Sequence, residues 1–251
     1  MFFKTDNLSI YYEKYGNKKD TILILPGWGN TRSTFYHIIN YFKDNYTIYI
    51  IDYPSFGNSP IPNKELTIYD YSNIIKKFIE QEKITPIIIA HSFGGRIASI
   101  LIGKDNLKVK KLILMDVAGI KRFNLKVFIK EKIYKLLKKL IKLLPKLKQN
   151  YYKQKLLLLF SSNDYQHIPP VMKKTFQNII KEDLKKYYKN ITTDTLIIWG
   201  EKDIDTPLKD AYFMKRHIKG SGLIIYENSK HFSYLDKIYL TNLIIDKFIN
   251  K

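Results

Sequence analysis

A short stretch near position 90 constrains the fold of this chain more than any other part of the sequence. Residues 87–95 read Ile-Ile-Ile-Ala-His-Ser-Phe-Gly-Gly, so a run of strand-forming residues stops at Ser92 and small residues follow. A serine on a sharp turn between a strand and a helix needs small residues two positions before and after it, because larger side chains clash with the backbone. Ala90 and Gly94 occupy these positions. The stretch predicts a nucleophile elbow; the alternative is an ordinary serine N-cap of a helix.

A serine nucleophile needs a general base, and in a chain with an elbow the base follows in a loop after a late strand. Residues 223–226 predict such a strand, and the loop after it contains His231. The other four histidines lie in helical stretches, in the elbow or in a separate insertion: His37, His91, His167 and His217. His231 is therefore the candidate base; a solvated loop histidine is the alternative.

The acid that orients the base is expected in another loop after a late strand. Residues 195–199 predict that strand, and the loop after it contains Asp203, which is the candidate acid. Two alternatives stay open, since Asp205 lies in the same loop and Asp116 ends the strand after the elbow helix. Asp52 follows an earlier strand, and we expect it to brace its own turn through backbone hydrogen bonds.

An oxyanion site is expected in the loop after an early strand, on the same sheet edge as the elbow. Residues 21–25 predict the strand, and Pro-Gly-Trp-Gly-Asn follows at 26–30. The glycines let the backbone turn, so that the amide of Trp28 can point at a developing oxyanion, with the amide of Phe93 as the second donor. Trp28 and Phe93 are also the candidates for contact with substrate. The alternative is a plain glycine-rich turn with a buried tryptophan.

Five segments resemble motifs of the α/β-hydrolase family and together extend over nearly the whole chain. They are the oxyanion loop at 25–29, the Asp turn at 52–59, the elbow at 90–95, the acid loop at 199–203 with Pro207, and the histidine loop at 229–232. The resemblance implies an esterase-like or lipase-like serine hydrolase with a cap. Ser92 argues against the haloalkane dehalogenase and epoxide hydrolase branches, which use Asp there. Two departures are Pro26, where family members commonly have His, and Ser55, where Gly is frequent.

Strand and helix patterns alternate along the chain, which predicts an α/β fold with a mainly parallel, doubly wound sheet. About eighty residues separate the strand at 111–115 from that at 195–199, far more than one crossover helix needs. We therefore expect a core of residues 1–120 and 190–251, with a helical, basic cap at 121–189, where the resembling family carries its cap. Helices are expected at 151–160 and 171–180. Another is expected to end near Pro145, because apolar residues repeat with helical spacing and lysines lie between them: Ile133, Leu136, Leu137, Leu140, Ile141 and Leu144.

The chain carries a formal net charge of +20, of which +12 lies between residues 121 and 155. Only four of its 43 basic residues are arginines, which argues against nucleic acid as a partner. The expected partner is a small-molecule acyl substrate. The favoured interpretation of the basic helix is a lid whose apolar face lies on the active-site cleft. The alternative is weak contact with an anionic membrane surface through residues 126–148.

The sequence also predicts what the protein does not use. It contains no cysteine, and no pattern in it predicts a metal or another cofactor. It has no apolar run of about 20 residues, and Met1 to Ile10 lack the pattern of a signal peptide, so a cytoplasmic location is expected. The oligomeric state stays open. The predicted function is cleavage of a carboxylic ester or related acyl bond through an acyl-enzyme; the alternative is a non-catalytic member of the same fold that binds a ligand or a membrane surface.

Overall fold

The computed structural model describes residues 1–5, 8–122, 125–160 and 168–251. Within the helices, the side chains at 126–128, 131, 147, 157, 158 and 160 are not described. His167, which the sequence places in a separate insertion, lies outside the described residues.

The described strands form a single sheet of eight. They are β1 (Phe2–Thr5), β2 (Leu8–Tyr15), β3 (Thr21–Leu25), β4 (Thr47–Ile51), β5 (Ile87–His91), β6 (Leu112–Met115), β7 (Thr195–Gly200) and β8 (Gly222–Tyr226). Their order is β1-β2-β4-β3-β5-β6-β7-β8. β2 is antiparallel to both β1 and β4, and the other neighbours are parallel. Strands β3 to β7 are buried along their whole length, as expected for parallel strands covered on both faces.

Helices cover both faces of the sheet. They are a short 3₁₀ helix (Arg32–Phe35), α1 (Tyr36–Phe42), α2 (Ile68–Gln81), α3 (Phe93–Gly103), α4 (Leu125–Ile141), α5 (Lys146–Phe160), α6 (Pro170–Lys181), α7 (Lys185–Tyr188), α8 (Lys209–His217), α9 (Ser233–Asp236) and α10 (Ile238–Ile249). Alternate strand residues enter two different cores, since Leu23 and Leu25 pack with α2, α3 and α8, whereas Ile22 and Ile24 pack with α1 and α10. The expected mainly parallel, doubly wound sheet is confirmed.

The helices α4 to α7 lie between β6 and β7, in the long insertion. Side chains from α6 and from the core connect α6 to the core by hydrogen bonds. The hydroxyl of Thr175 on α6 accepts a hydrogen bond from the backbone N–H of Leu66 at 2.9 Å. The guanidinium of Arg96 donates to the carbonyls of Ile179 at 3.1 Å and Glu182 at 3.3 Å, at the carboxyl end of α6. A cation at this end complements the helix dipole. The division into a core and a cap at 121–189 stays a prediction.

The apolar face of α4 is not packed against a cleft, contrary to the prediction from the sequence. Leu137 and Ile141 face α5, but Ile133, Leu136 and Leu140 are 45%, 58% and 50% exposed. The expectation that this face packs onto a cleft is wrong for the described residues, because α4 packs on α5 along one edge and leaves the rest of the face open. No described helix is both long enough and apolar enough to cross a lipid bilayer.

Candidate active site

Ser92 occupies a strained turn at the junction of β5 and α3. Its backbone angles are φ 48° and ψ −108°, a region that residues with a side chain rarely adopt and that costs about 1–3 kcal/mol. Three hydrogen bonds hold this conformation: Ser92 N–H donates to the carbonyl of Met115, and its carbonyl accepts from the amides of Gly95 and Ala118. The side chain makes no capping hydrogen bond to α3, so the N-cap alternative does not describe this serine.

The two small residues of the elbow, Ala90 and Gly94, are required to be small for different structural reasons. A Cβ at Gly94 would lie 2.0 Å from the carbonyl oxygen of Leu25 and 2.8 Å from that of Pro26, so this position requires glycine. Ala90 is fully buried in β5, where it pairs with Leu25 on β3. The elbow is thus pressed against the loop that follows β3, which brings Ser92 beside the predicted oxyanion loop.

The structure brings Ser92, His231 and Asp203 together in one hydrogen-bonded chain. His231 Nε2 lies 2.9 Å from Ser92 Oγ, and His231 Nδ1 lies 2.8 Å from Asp203 Oδ2. Because an ionised carboxylate only accepts hydrogen bonds, the ring proton is assigned to Nδ1. The lone pair of Nε2 is then free to accept the proton of the serine hydroxyl, as a nucleophile of this kind requires.

Asp203 is held by more than the histidine. Its Oδ1 accepts the amides of Asp205 at 2.8 Å and Thr206 at 2.9 Å, and its Oδ2 also accepts the Thr206 hydroxyl at 2.5 Å. Burial alone would raise the pKa of Asp203, but the hydrogen bonds from His231 and Thr206 outweigh it and lower the pKa. Burial alone would lower the pKa of His231, but the hydrogen bond and negative charge of Asp203 raise it. Each partner therefore favours the charged form of the other.

The two alternative acids lie elsewhere in the network. Asp205 is exposed, and it serves Asp203 through its backbone N–H. Asp116 is fully buried: its Oδ1 accepts the amide of Gly200 at 2.8 Å, and its Oδ2 accepts the amide and hydroxyl of Ser233 at 3.1 and 2.6 Å. Burial raises the pKa of Asp116 to about 7. Asp116 thereby ties the end of β7 to the start of α9, which directly follows the histidine loop. The carboxylate that bonds to His231 Nδ1 is that of Asp203.

Asp203, Asp205 and His231 are also the described residues that come nearest to a metal site. One ligand atom of each lies within 4.8 Å of the others, and carboxylate with imidazole is a ligand set that several metals accept. The two oxygens of Asp203 already accept four hydrogen bonds between them. A metal here would have to displace some of these bonds, so the arrangement suits the hydrogen-bonded chain better.

His91, inside the elbow, has a structural role that the sequence did not indicate. Its buried ring donates from Nε2 to the backbone carbonyl of His231 at 2.8 Å. Burial lowers the pKa of His91 to about 3, so the ring is neutral at physiological pH. It therefore fastens the histidine loop to the elbow. Of the remaining described histidines, His37 stacks on Tyr234 and His217 stacks on Phe213.

The predicted oxyanion loop forms a tight turn. The amide of Asn30 donates to the carbonyl of Gly27 at 3.1 Å, and Gly29 has φ 76°, where a side chain would be strained. Among the hydrogen bonds of the described residues, neither the amide of Trp28 nor that of Phe93 has an acceptor. Two backbone donors without protein partners beside a serine are what an oxyanion site requires.

Aromatic rings surround this loop. The half-buried ring of Trp28 contacts those of Phe56 at 4.9 Å and Phe93 at 5.2 Å, measured between centroids. It also lies 5.3 Å from Phe176 on α6, a residue that no sequence motif singled out. Phe93 is only 3% exposed and contacts Tyr71, so its ring belongs to the core more than to an open pocket. Trp28, Phe56 and Phe176 are the better-placed candidates for contact with a substrate.

Asp52 braces its turn, as expected from the sequence. Its Oδ2 accepts the amide of Asn58 at 2.9 Å, and its carbonyl accepts the hydroxyl of Ser59 at 2.6 Å. These bonds confirm a structural role for this carboxylate.

Comparison with known proteins identifies the family to which this chain belongs. The model of the alpha/beta hydrolase fold family matches residues 20–238, so the chain belongs to this family and the resemblance of its motifs is confirmed. The uncharacterized hydrolase YugF of Bacillus subtilis is 30% identical over 126 residues, which cover 48% of this chain and 45% of that protein. The pimeloyl-(acyl-carrier protein) methyl ester esterase of Legionella pneumophila strain Paris is 23% identical over 96% of this chain and 100% of that protein.

A solved structure shows the same fold. MGS-M2, an alpha/beta hydrolase enzyme from a Medee basin deep-sea metagenome library, superposes with a TM-score of 0.78. It is 21% identical, and the superposition covers 100% of this chain and 98% of that one.

Proposed function

We propose that this protein is a serine hydrolase that cleaves a carboxylic ester or a related acyl bond through an acyl-enzyme. The observation that carries the proposal is the hydrogen-bonded chain from Ser92 Oγ through His231 to Asp203. The full-length relative named as a methyl ester esterase supports an ester as the substrate class. A non-catalytic binding protein, the alternative from the sequence, has no need of these three side chains in hydrogen-bonding order.

In the first half of the reaction, Ser92 Oγ attacks the carbonyl carbon of the substrate while His231 Nε2 takes the hydroxyl proton. Asp203 holds the proton on Nδ1 and stabilises the imidazolium that forms. The carbonyl oxygen becomes an oxyanion, which the amides of Trp28 and Phe93 bind; each such donor lowers the barrier by about 3 kcal/mol. His231 then gives its Nε2 proton to the leaving alcohol, the carbon–oxygen bond breaks, and the acyl group remains on Ser92.

In the second half, water replaces the alcohol. His231 Nε2 takes a proton from the water as its oxygen attacks the acyl carbon, and the same two amides bind the second oxyanion. The proton returns to Ser92 Oγ as its bond to the acyl carbon breaks, which releases the carboxylic acid and restores the starting state. A raised pKa of His231 suits both proton transfers, because the ring must accept and then release a proton near neutral pH.

The acyl part of the substrate is proposed to contact the rings beside the oxyanion loop. Trp28 and Phe56 are half-buried and contact each other, and Phe176 contacts Trp28 from α6. A partly exposed aromatic surface favours an apolar acyl chain over a charged one.

The experiment measures kcat/KM on p-nitrophenyl esters of increasing acyl chain length. We expect hydrolysis by the wild-type protein and its loss in Ser92→Ala, with the far-UV circular dichroism unchanged. Ser72→Ala is the matched control, because this buried serine on α2 has no hydrogen-bond partner among the described residues. Activity of Ser92→Ala at the wild-type level would refute the proposal, as would a wild-type protein that hydrolyses none of the esters.

A further inference from the structure

One face of α4 carries a row of exposed aliphatic side chains. Its members are between 45% and 59% exposed, and they are Leu125, Ile129, Ile133, Leu136 and Leu140. With 3.6 residues per turn, these positions fall within about a quarter of the helix circumference and extend over about 22 Å. Isolated exposed leucines are ordinary on protein surfaces, but a continuous row of this length marks an interaction surface. We call these five residues the α4 stripe.

The rest of the described protein leaves the α4 stripe open. The helix packs against α5 through the neighbouring edge, where Leu137 and Ile141 meet Leu156 across an apolar groove. Leu143, in the turn after α4, continues the stripe and is 80% exposed. Leu140, at the carboxyl-terminal end of the stripe, also borders this groove, but the other four residues of the stripe do not line it, so the contact with α5 does not account for the stripe.

Lysines accompany the stripe on the same helix. Lys135, Lys138, Lys139 and Lys142 are exposed, and no ion pair among the described residues includes them. The segment from 121 to 155 has one acidic residue, Glu131, and a net charge of +12. Any partner must therefore accept a row of large aliphatic side chains and lie close to many ammonium groups on the flanks and far side of the same helix.

These two requirements together select a lipid surface. Nucleic acid offers phosphates but no apolar layer for the leucines and isoleucines. A second copy of this chain would bring the same +12 and repel the first. A bilayer with anionic headgroups takes the aliphatic side chains into its acyl boundary and the lysine ammonium groups at its phosphates, with no shaped pocket required. We propose that the α4 stripe and its lysines form a docking surface for anionic lipid membranes, whether or not the proposed esterase activity is correct.

The test is co-sedimentation of the full chain with vesicles of phosphatidylcholine, alone or mixed with phosphatidylglycerol. We expect partitioning onto the mixed vesicles only, and weakening by added salt. Replacing Lys135, Lys138, Lys139 and Lys142 by Gln should lower the partition coefficient by at least about tenfold. The matched control replaces four exposed lysines elsewhere by Gln, which changes the net charge equally and should have less than about a twofold effect: Lys19, Lys64, Lys219 and Lys247.

The apolar half of the surface has its own variants. Leu136→Ser with Leu140→Ser should lower partitioning by at least about tenfold, because two side chains no longer leave water. The control pair is Ile61→Ser with Ile238→Ser, since these side chains are 55% and 44% exposed on other surfaces. Circular dichroism checks that each variant is folded, and hydrolysis of a water-soluble ester should be unchanged in the α4 variants.

Four results would overturn the proposal: equal binding to neutral vesicles, no binding to either kind, an equal loss in the lysine control, or no loss in the leucine pair. Binding of soluble polyglutamate without binding of anionic vesicles would point to an acidic protein partner and would overturn it as well.

Discussion

The change Asp203→Asn tests the hydrogen-bonded chain at its buried end. Oδ1 of Asp203 accepts two backbone amides, at 2.8 and 2.9 Å, so the oxygen of an asparagine must take that position. Its NH₂ group then occupies the place of Oδ2 and faces His231 Nδ1. Because NH₂ donates a hydrogen bond, Nδ1 must accept it, and the ring proton moves to Nε2. A protonated Nε2 cannot accept the proton of Ser92, so the base is lost although the contacts remain.

The expected loss in kcat is about 10⁴-fold, as the wrong tautomer produces in enzymes with this triad. At about 1.36 kcal/mol per tenfold change, this is about 5.4 kcal/mol of transition-state stabilisation. The assay is hydrolysis of a p-nitrophenyl ester, with the free energy of unfolding measured alongside. Asp205→Asn is the control, because the Asp205 side chain is exposed, and its rate should stay within about twofold of wild type. A near-normal rate in Asp203→Asn with a collapse in Asp205→Asn or Asp116→Asn would show that Asp203 is not the acid that orients His231.

Three further predictions follow from the same geometry. The rate constant kcat/KM should rise with pH through the pKa of His231, because only the neutral ring accepts the serine proton. The midpoint of a pH–rate profile should lie above the ordinary histidine pKa of about 6.5. A midpoint below that value would contradict the role of His231 beside Asp203. Gly94→Ala should lower the free energy of unfolding by about 3 kcal/mol or more in urea denaturation, since its Cβ would lie 2.0 Å from the carbonyl oxygen of Leu25. A loss below about 1 kcal/mol would show that the elbow can shift. Asp116→Ala should cost about 2–5 kcal/mol in the same assay, because two buried amides and a hydroxyl lose their acceptor; an unchanged stability would show that these bonds contribute little.

The core was predictable from the sequence because its elements carry strong local signals. The strand at 21–25 has the bounds that its pattern predicts, and the strands predicted at 111–115, 195–199 and 223–226 each differ from the structure by one residue. The buried parallel strands are near-continuous runs of isoleucine and leucine, and the loops at their carboxyl ends carry the chemistry. For this reason Ser92 and His231 could be brought together from chain order alone.

Side-chain contacts within a loop and between distant segments were not predictable in the same way. Thr206 donates to Asp203, and Phe176 contacts Trp28, but neither residue stands in a pattern that periodicity or spacing can detect. The choice among three acids likewise depended on which carboxylate reaches His231 Nδ1. The distance from each carboxylate to His231 Nδ1 depends on the conformation of the loops, which the sequence alone does not predict.

The insertion between β6 and β7 shows a second limit of prediction from the sequence. Periodicity indicated a basic amphipathic helix but not what lies against its apolar face, and α4 begins at Leu125, before the repeat that the sequence showed. α5 begins at Lys146, directly after Pro145, rather than at 151. Most described side chains of α5 are exposed, so little selects an apolar periodicity along it. Near the carboxyl terminus, α9 and α10 are separated at Lys237, whose φ of −132° interrupts the helix.

Covalent labelling with a fluorophosphonate shows directly whether Ser92 is a nucleophile, because this probe forms a bond only with an activated serine. The expected result is one adduct, located by peptide mass spectrometry on Ser92, that is absent in Ser92→Ala and strongly slowed in His231→Ala. An unlabelled wild-type protein, or an adduct on another serine, would contradict it.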